Sequence, residues 1–245
     1  MKSDSTKGHL AAFITILIWG TTFISTKILL QDFEPIEILF VRFVLGFVIL
    51  FLVYPRRLHI KEKRQEIFFA LAGLCGVCLY YLLENIALTY TLAANVGVIV
   101  TVAPFFTAMI SHLITRDEKL KASFFVGFLI AMMGICLISF TGLNSVEINP
   151  LGDILALIAA IVWAVYSILT KKIGQYGYNV IQSTRRVFFY GLIFMIPALF
   201  AFGFHIEVND FKDATNLLNL LYLGIGASAL CFVTWNLAVR VLGCK

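Results

Sequence analysis

Eight stretches of this chain run for about twenty residues with almost no charge, approximately 10–30, 36–54, 67–89, 93–114, 122–141, 152–170, 181–203 and 217–239. Each is long enough to cross a hydrocarbon layer about 30 Å thick as a helix and far longer than a membrane strand of about 10 residues. None alternates polar with apolar. In hydrocarbon every backbone amide must be satisfied within its own segment or a closed barrel, and helices meet that requirement here. The composition agrees: 60% of the 245 residues are hydrophobic and only 13% are charged, about half the charge of a soluble domain. The expected fold class is therefore all-α integral membrane with eight transmembrane helices.

The first run follows Lys2 and Lys7 but is long, lacks a small-residue cleavage site and precedes further spans, so it reads as a retained helix. Cys75, Cys78, Cys136 and Cys231 lie within apolar runs, and Cys244 makes the set odd, so they read as packing residues. The Cys75-Gly-Val-Cys78 spacing lacks the strand and turn a redox motif needs. His9, His59, His112 and His205 are scattered, with no metal-ligand spacing, nucleophile–base set or phosphate loop. No cofactor is expected.

Net charge is +5, but the basic residues sit in short loops and not on a water-exposed face, which argues against nucleic acid. With the amino terminus inside, all but three of the 19 fall on one side. Lys2 and Lys7 come first, then Arg56, Arg57, Lys61, Lys63 and Arg64, then Arg116, Lys119 and Lys121. Lys171, Lys172, Arg185, Arg186, Arg240 and Lys245 complete the side. The exceptions are Lys27, Arg42 and Lys212. The positive-inside rule then predicts both termini in the cytoplasm, with the inner (plasma) membrane as the location.

The chain also repeats itself. Gly8, Trp19, Lys27 and Arg42 recur 144 residues on as Gly152, Trp163, Lys171 and Arg186, and Gly73, Asn85 and Ala87 recur 151 residues on as Gly224, Asn236 and Ala238. Five helices separate the two starts, and because five is odd the second unit is predicted to sit upside down. Inverted repeats are a recurring device of secondary transporters, whose site lies near mid-membrane between the halves. The expected units are 8–146, with five helices, and 152–245, with three.

Trp19-Gly20-Thr21-Thr22-Phe23, the Pro35 to Arg42 segment, Glu84 to Tyr90, Pro104-Phe105-Phe106-Thr107-Ala108 and Trp163-Ala164-Val165-Tyr166 together resemble the EamA family of the drug/metabolite transporter superfamily. The resemblance implies a bacterial-type inner-membrane permease of ten helices in two halves, exporting amino acids, metabolites or drugs. Lys245 aligns with Ala94 through the second offset, so nothing matches Asn95 to Thr141. The expectation is a chain truncated before its last two helices and less active than a ten-helix parent.

A charge at the bilayer centre costs about 2.5–3.5 kcal/mol on insertion scales, so buried ionisable groups need partners or a function. Glu84 sits near the outer end of the third helix, at the depth of Lys27 and Arg42, and the three are expected to meet. Three readings stand: a structural ion pair, a proton- or substrate-coupled carboxylate, or an interfacial side chain that snorkels. Its repeat mate is Trp235. Lys171 and Arg186 form the matching inner pair with no carboxylate by repeat alignment, either holding loops or meeting substrate. The substrate-cavity candidates are Trp19, Tyr81, Glu84, Asn85, Trp163, Tyr166 and Asn236, with packing as the bland alternative for each aromatic. Pro104 is expected to kink the fourth helix, with Asn95 or a neighbour satisfying the freed group. Ala156, Ala160 and Ala164 form a small-xxx-small packing stripe.

The leading function is a secondary-active transporter of small metabolites working by alternating access, with a small molecule and the bilayer as partners, protons as a candidate coupling ion and a homodimer compatible with the sequence. The alternatives are a membrane-embedded enzyme on lipid or isoprenoid substrates, which needs clustered acids or histidines at one face, and a structural membrane protein. The topology is open to direct test: Lys61→Cys is expected to react with an impermeant thiol reagent only from the cytoplasm, and Lys212→Cys only from outside. Labelling of position 61 from outside overturns the orientation.

Overall fold

In the computed structural model, residues 2–115, 122–142, 149–205 and 210–242 are described. Arg116, Lys119, Lys121, Cys244 and Lys245 lie outside them, as do the side chains of Lys2 and Cys136. Among the described residues eight long helices follow one another: α1 (Lys2–Leu29), α2 (Pro35–Val53), α3 (Lys63–Tyr90), α4 (Ala93–Val100 and Ala103–Thr115), α5 (Ala122–Gly142), α6 (Pro150–Gln175), α7 (Val180–Ala201) and α8 (Ala214–Leu242). Among the described residues seven are long and apolar enough to cross a membrane; α5 is equally apolar and is described in full atomic detail only in part. Several helices begin before the apolar runs do, α1 by eight residues and α3 by four. The reason is physical: hydropathy marks the edge of hydrocarbon, and a helix continues past that edge into water.

Local chemistry fixes the helix starts. Pro35 opens α2, where a missing amide costs nothing, and the Glu37 carboxylate accepts the Glu34 amide at 2.8 Å. Asn149 accepts the amides of Leu151 and Gly152, Asn179 those of Ile181 and Gln182, and Asp213 that of Thr215, each acting as an N-cap. Two helices contain wide i→i+5 turns, at Leu74–Leu79 in α3 and Tyr222–Leu230 in α8.

Pro104 does not kink a continuous helix. It is the second residue of a new segment, after α4 breaks at Thr101 and Val102, so its missing amide falls where no intrahelical partner exists. The amide of Asn95 donates to the Thr91 hydroxyl at 3.1 Å.

The helices pair as α1 with α8, α3 with α6 and α7, α2 with α7 and the wide turn of α8, and α4 with α6. Lipid is as apolar as the side chains, so association in a bilayer rests on close van der Waals packing and polar contacts. Small residues supply the closeness. Ala156, Ala160 and Ala164 are fully buried on α6. Gly73 lies against the Val187 carbonyl and Gly191 of α7, Gly76 against the Tyr166 ring of α6, and Gly224 against Leu45 and the Arg42 carbonyl of α2. A methyl group on Gly76 or Gly191 would fall inside the Tyr166 ring or the Val77 side chain.

Two loops at one end are tied together: Arg185 donates to the carbonyls of Tyr54 and Arg56, the Tyr178 hydroxyl donates to Gln65 at 2.6 Å, and Arg240 donates to the Tyr178 carbonyl. At the other end Asn216 donates to Asp32 at 2.9 Å and the His205 amide to Glu37 at 3.0 Å.

Gly76→Val and Gly191→Leu are each expected to lower stability by about 1–3 kcal/mol through overpacking. Gly127→Ala on exposed α5, with open space around its Cβ, is expected to be neutral or stabilising by up to about 1 kcal/mol. Thermal unfolding in detergent checks the contrast; equal behaviour of the three would remove the close approach as the basis of packing.

Candidate functional site

Between them α1, α3, α4, α6 and α8 leave a cavity of about 360 Å³. Three tryptophans from three helices make its floor and sides. The Trp19 and Trp163 rings meet edge-on at 5.1 Å, and Trp235 lies 5.5 Å from Trp19. Trp19 is held in place by its indole N–H, which donates to the Ala227 carbonyl in the wide turn of α8 at 3.0 Å. The indole nitrogen of Trp235 has no hydrogen-bond partner. Tyr80 and Tyr81, 4.7 Å apart and edge-on, form the α3 wall, and Tyr80 also lies 4.7 Å from Trp163. The break in α4 faces the same space, so Thr101 and Pro104 line it. Irregular backbone at membrane depth is tolerated where it borders a cavity.

Among the described residues Glu84 is the one carboxylate in this wall. It is 2% exposed, which removes the snorkelling reading. One helical turn separates it from Tyr80, whose hydroxyl is its hydrogen-bond partner. Its charge is felt by Arg42, yet the two form no ion pair. Arg42 is fully buried on α2, its Nε donating to Ser228 at 3.0 Å and its guanidinium lying 4.3 Å above the Tyr81 ring. Its two terminal nitrogens have no hydrogen-bond partner.

The expected meeting of Glu84, Lys27 and Arg42 is only half realised. Lys27 Nζ donates to the carbonyls of Leu88 and Thr91, where α3 ends. Terminal carbonyls lack helical partners and carry the negative end of the helix dipole, so they compete well for a cation. Arg186 does have a carboxylate: Glu66 of α3 accepts from its Nε at 2.7 Å, forms an ion pair with it and also receives the Tyr190 hydroxyl. That partner is not a repeat mate, which is why alignment of the repeats could not supply it. Lys171 is half-buried late in α6, away from the cavity.

Of the cavity candidates, Trp19, Tyr81, Glu84 and Trp163 line the space, while Asn85, Tyr166 and Asn236 do not. Asn85 is fully buried and donates to the Pro35 carbonyl at 3.1 Å, tying α3 to the start of α2. The Tyr166 hydroxyl donates to Asn236 at 3.2 Å, and Asn236 donates to Thr184 at 3.0 Å, a chain linking α6, α8 and α7 behind the cavity. Tyr80 and Trp235 were missed as wall residues. The signals existed: Tyr80 is four residues before Glu84 on one helix face, and Trp235 is the repeat mate of Glu84.

The EamA-like transporter family matches this chain twice, over residues 6–140 and 150–244. An uncharacterized transporter of Archaeoglobus fulgidus is 30% identical over 240 residues, covering 96% of this chain and 81% of that protein. A probable amino-acid metabolite efflux pump of Escherichia coli is 24% identical, covering 95% and 78%. A probable terminal-alkyne amino-acid exporter of Streptantibioticus cattleyicolor is also 24% identical, covering 95% and 76%. One crystal structure shares the fold at a TM-score of 0.72 and 19% identity, covering 98% of this chain and 80% of its own.

Lys27→Met leaves the last carbonyls of α3 without their charged donor. It is expected to cost about 1–3 kcal/mol in thermal unfolding, with ligand affinity unchanged because Lys27 does not line the cavity. Loss of affinity at unchanged stability would instead make Lys27 part of the site.

Proposed function

The chain belongs to the EamA-like transporter family and is a multi-span membrane transporter of small molecules, and from that premise we propose that it exports an amine-bearing metabolite of the amino-acid class by exchange with protons. The observation that carries this reading is the cavity: a single carboxylate, Glu84, in a wall of tryptophan and tyrosine faces. Aromatic faces attract an ammonium group, and the attraction grows when water is excluded. A buried carboxylate completes the charge balance. Relatives named for amino-acid export support the class.

Glu84 has one negative charge to offer, so it holds an ammonium or a proton but not both. Binding of either weakens the other, and that competition couples their movement in opposite directions. The depression of about 520 Å³ at the far end, rimmed by Asp32, Glu34, Glu37 and Asp210, favours departure of a cation toward the side without the basic loops.

We assign the movement itself to alternating access between two inverted units, 8–146 and 152–245. The support is threefold: the family matches twice at these places, the residue pairs keep constant offsets, and the packing of α1 on α8 recurs as α6 on α3. Both termini are assigned to the cytoplasm of a cell bounded by this plasma membrane, supported by the clustering of basic loops at one end.

Glu84→Gln keeps the shape and the Tyr80 contact but removes the charge. In proteoliposomes with an imposed pH gradient, the variant is expected to lose gradient-driven amino-acid flux by at least about 100-fold, the order of a catalytic proton carrier, while inserting and unfolding normally. Gradient-driven flux equal to that of the unaltered protein rules out the role.

A further inference from the structure

Arg42 has no task in the site as described, and its surroundings do not explain it. A guanidinium is always charged and offers five donors. Here the whole side chain is buried on α2, one donor is used by Ser228 and the terminal nitrogens that carry the other four are orphaned. Burying a charge with unmet donors costs several kcal/mol, and a hydrophobic side chain would fill the same place without that cost. Tyr81 touches both the cavity and the guanidinium: it lines the cavity, and its ring centroid lies 4.3 Å from the Arg42 Cζ. Glu84, three residues along the same helix, faces the same space.

We propose that Arg42 is an occluded carboxylate subsite, closed off by the Tyr81 ring, and that it sets the specificity of the cavity for zwitterions over simple amines. The planar fork of a guanidinium matches a carboxylate through two parallel hydrogen bonds, a geometry that a lysine cannot reproduce. The two terminal nitrogens of Arg42 are the pair such a contact uses. Rotation of the Tyr81 ring opens the path, and the ligand carboxylate then replaces the ring as the partner of the guanidinium. The ammonium of the same ligand stays at Glu84. A ligand with both groups satisfies both buried charges; an amine alone satisfies only one. This inference rests on the reading of Glu84 as the ammonium site and adds the carboxylate reader to it.

The test measures binding of L-phenylalanine and L-leucine beside phenethylamine and isopentylamine, the same molecules without the carboxylate, to purified protein in detergent. The unaltered protein is expected to prefer the amino acids by at least about ten-fold, the value of one bidentate contact of roughly 1.4 kcal/mol. Arg42→Gln is expected to bring that preference below about three-fold with amine binding retained. Arg42→Lys, which keeps the charge and loses the fork, is expected to fall between them and carries the comparison if the glutamine variant does not fold. Tyr81→Ala, which removes the closing ring, is expected to speed association of the amino acids relative to that of the amines. Amines binding as well as amino acids in the unaltered protein, or a full preference surviving in Arg42→Lys and Arg42→Gln, overturns the carboxylate subsite and leaves Glu84 standing. Binding of neither class overturns the ammonium reading and the subsite together.

Discussion

Helices surrounded by lipid tails gain nothing by hiding their apolar side chains from one another, so this bundle depends on how near its backbones can come. The decisive contacts are the places where α3 has no side chain at all: Gly73 against the backbone of α7 and Gly76 against the Tyr166 ring. Gly191 answers from α7 and the alanine stripe from α6. With α3 seated this closely, Tyr80, Tyr81 and Glu84 project together into one space and meet the tryptophans of α1, α6 and α8. A wider spacing would leave the same residues on the same helices without a shared cavity.

Polar groups in this interior divide by what they touch. Asn85, Tyr166, Asn236 and Lys27 find fixed protein partners, carbonyls or hydroxyls on neighbouring helices, and act as ties. The terminal nitrogens of Arg42 and the Trp235 indole are left without partners, at or directly behind the cavity wall that Glu84 also lines. Strong donors and acceptors without partners are rare in native interiors. These two lie beside the space a ligand would enter, whereas Thr26 Oγ1, Asn85 Oδ1 and Asp153 Oδ1 are orphaned elsewhere in the bundle.

The eight helices were legible because a bilayer imposes a run length, and the resemblance of Trp19 to Trp163 pointed to the centre because two rare residues kept one register. What could not be read was anything decided by the angle around a helix axis. Tyr166 and Asn236 belong to the right helices at the right depth but turn toward each other. Lys27 has the depth of Glu84 but faces the end of α3. The Arg186 partner, Glu66, comes from another helix with no sequence relation to it. Helix order and depth follow from hydropathy, whereas azimuth follows from packing contacts that one sequence does not display.

That dependence on azimuth gives the wide turn of α3 its meaning. Each residue advances a regular helix by about 100°, and Leu74–Leu79 winds more loosely than that. Every side chain beyond it is therefore rotated relative to those before it, so the glycine face that grips α7 and the carboxylate face that meets the ligand are set by two different phases of one helix. Were the segment wound as an ordinary α-helix from Gly73 onward, Glu84 would point along a different bearing with all its neighbours in sequence unchanged. The loose turn works as a phase shifter, and the direction of the cavity carboxylate is set five to ten residues before it.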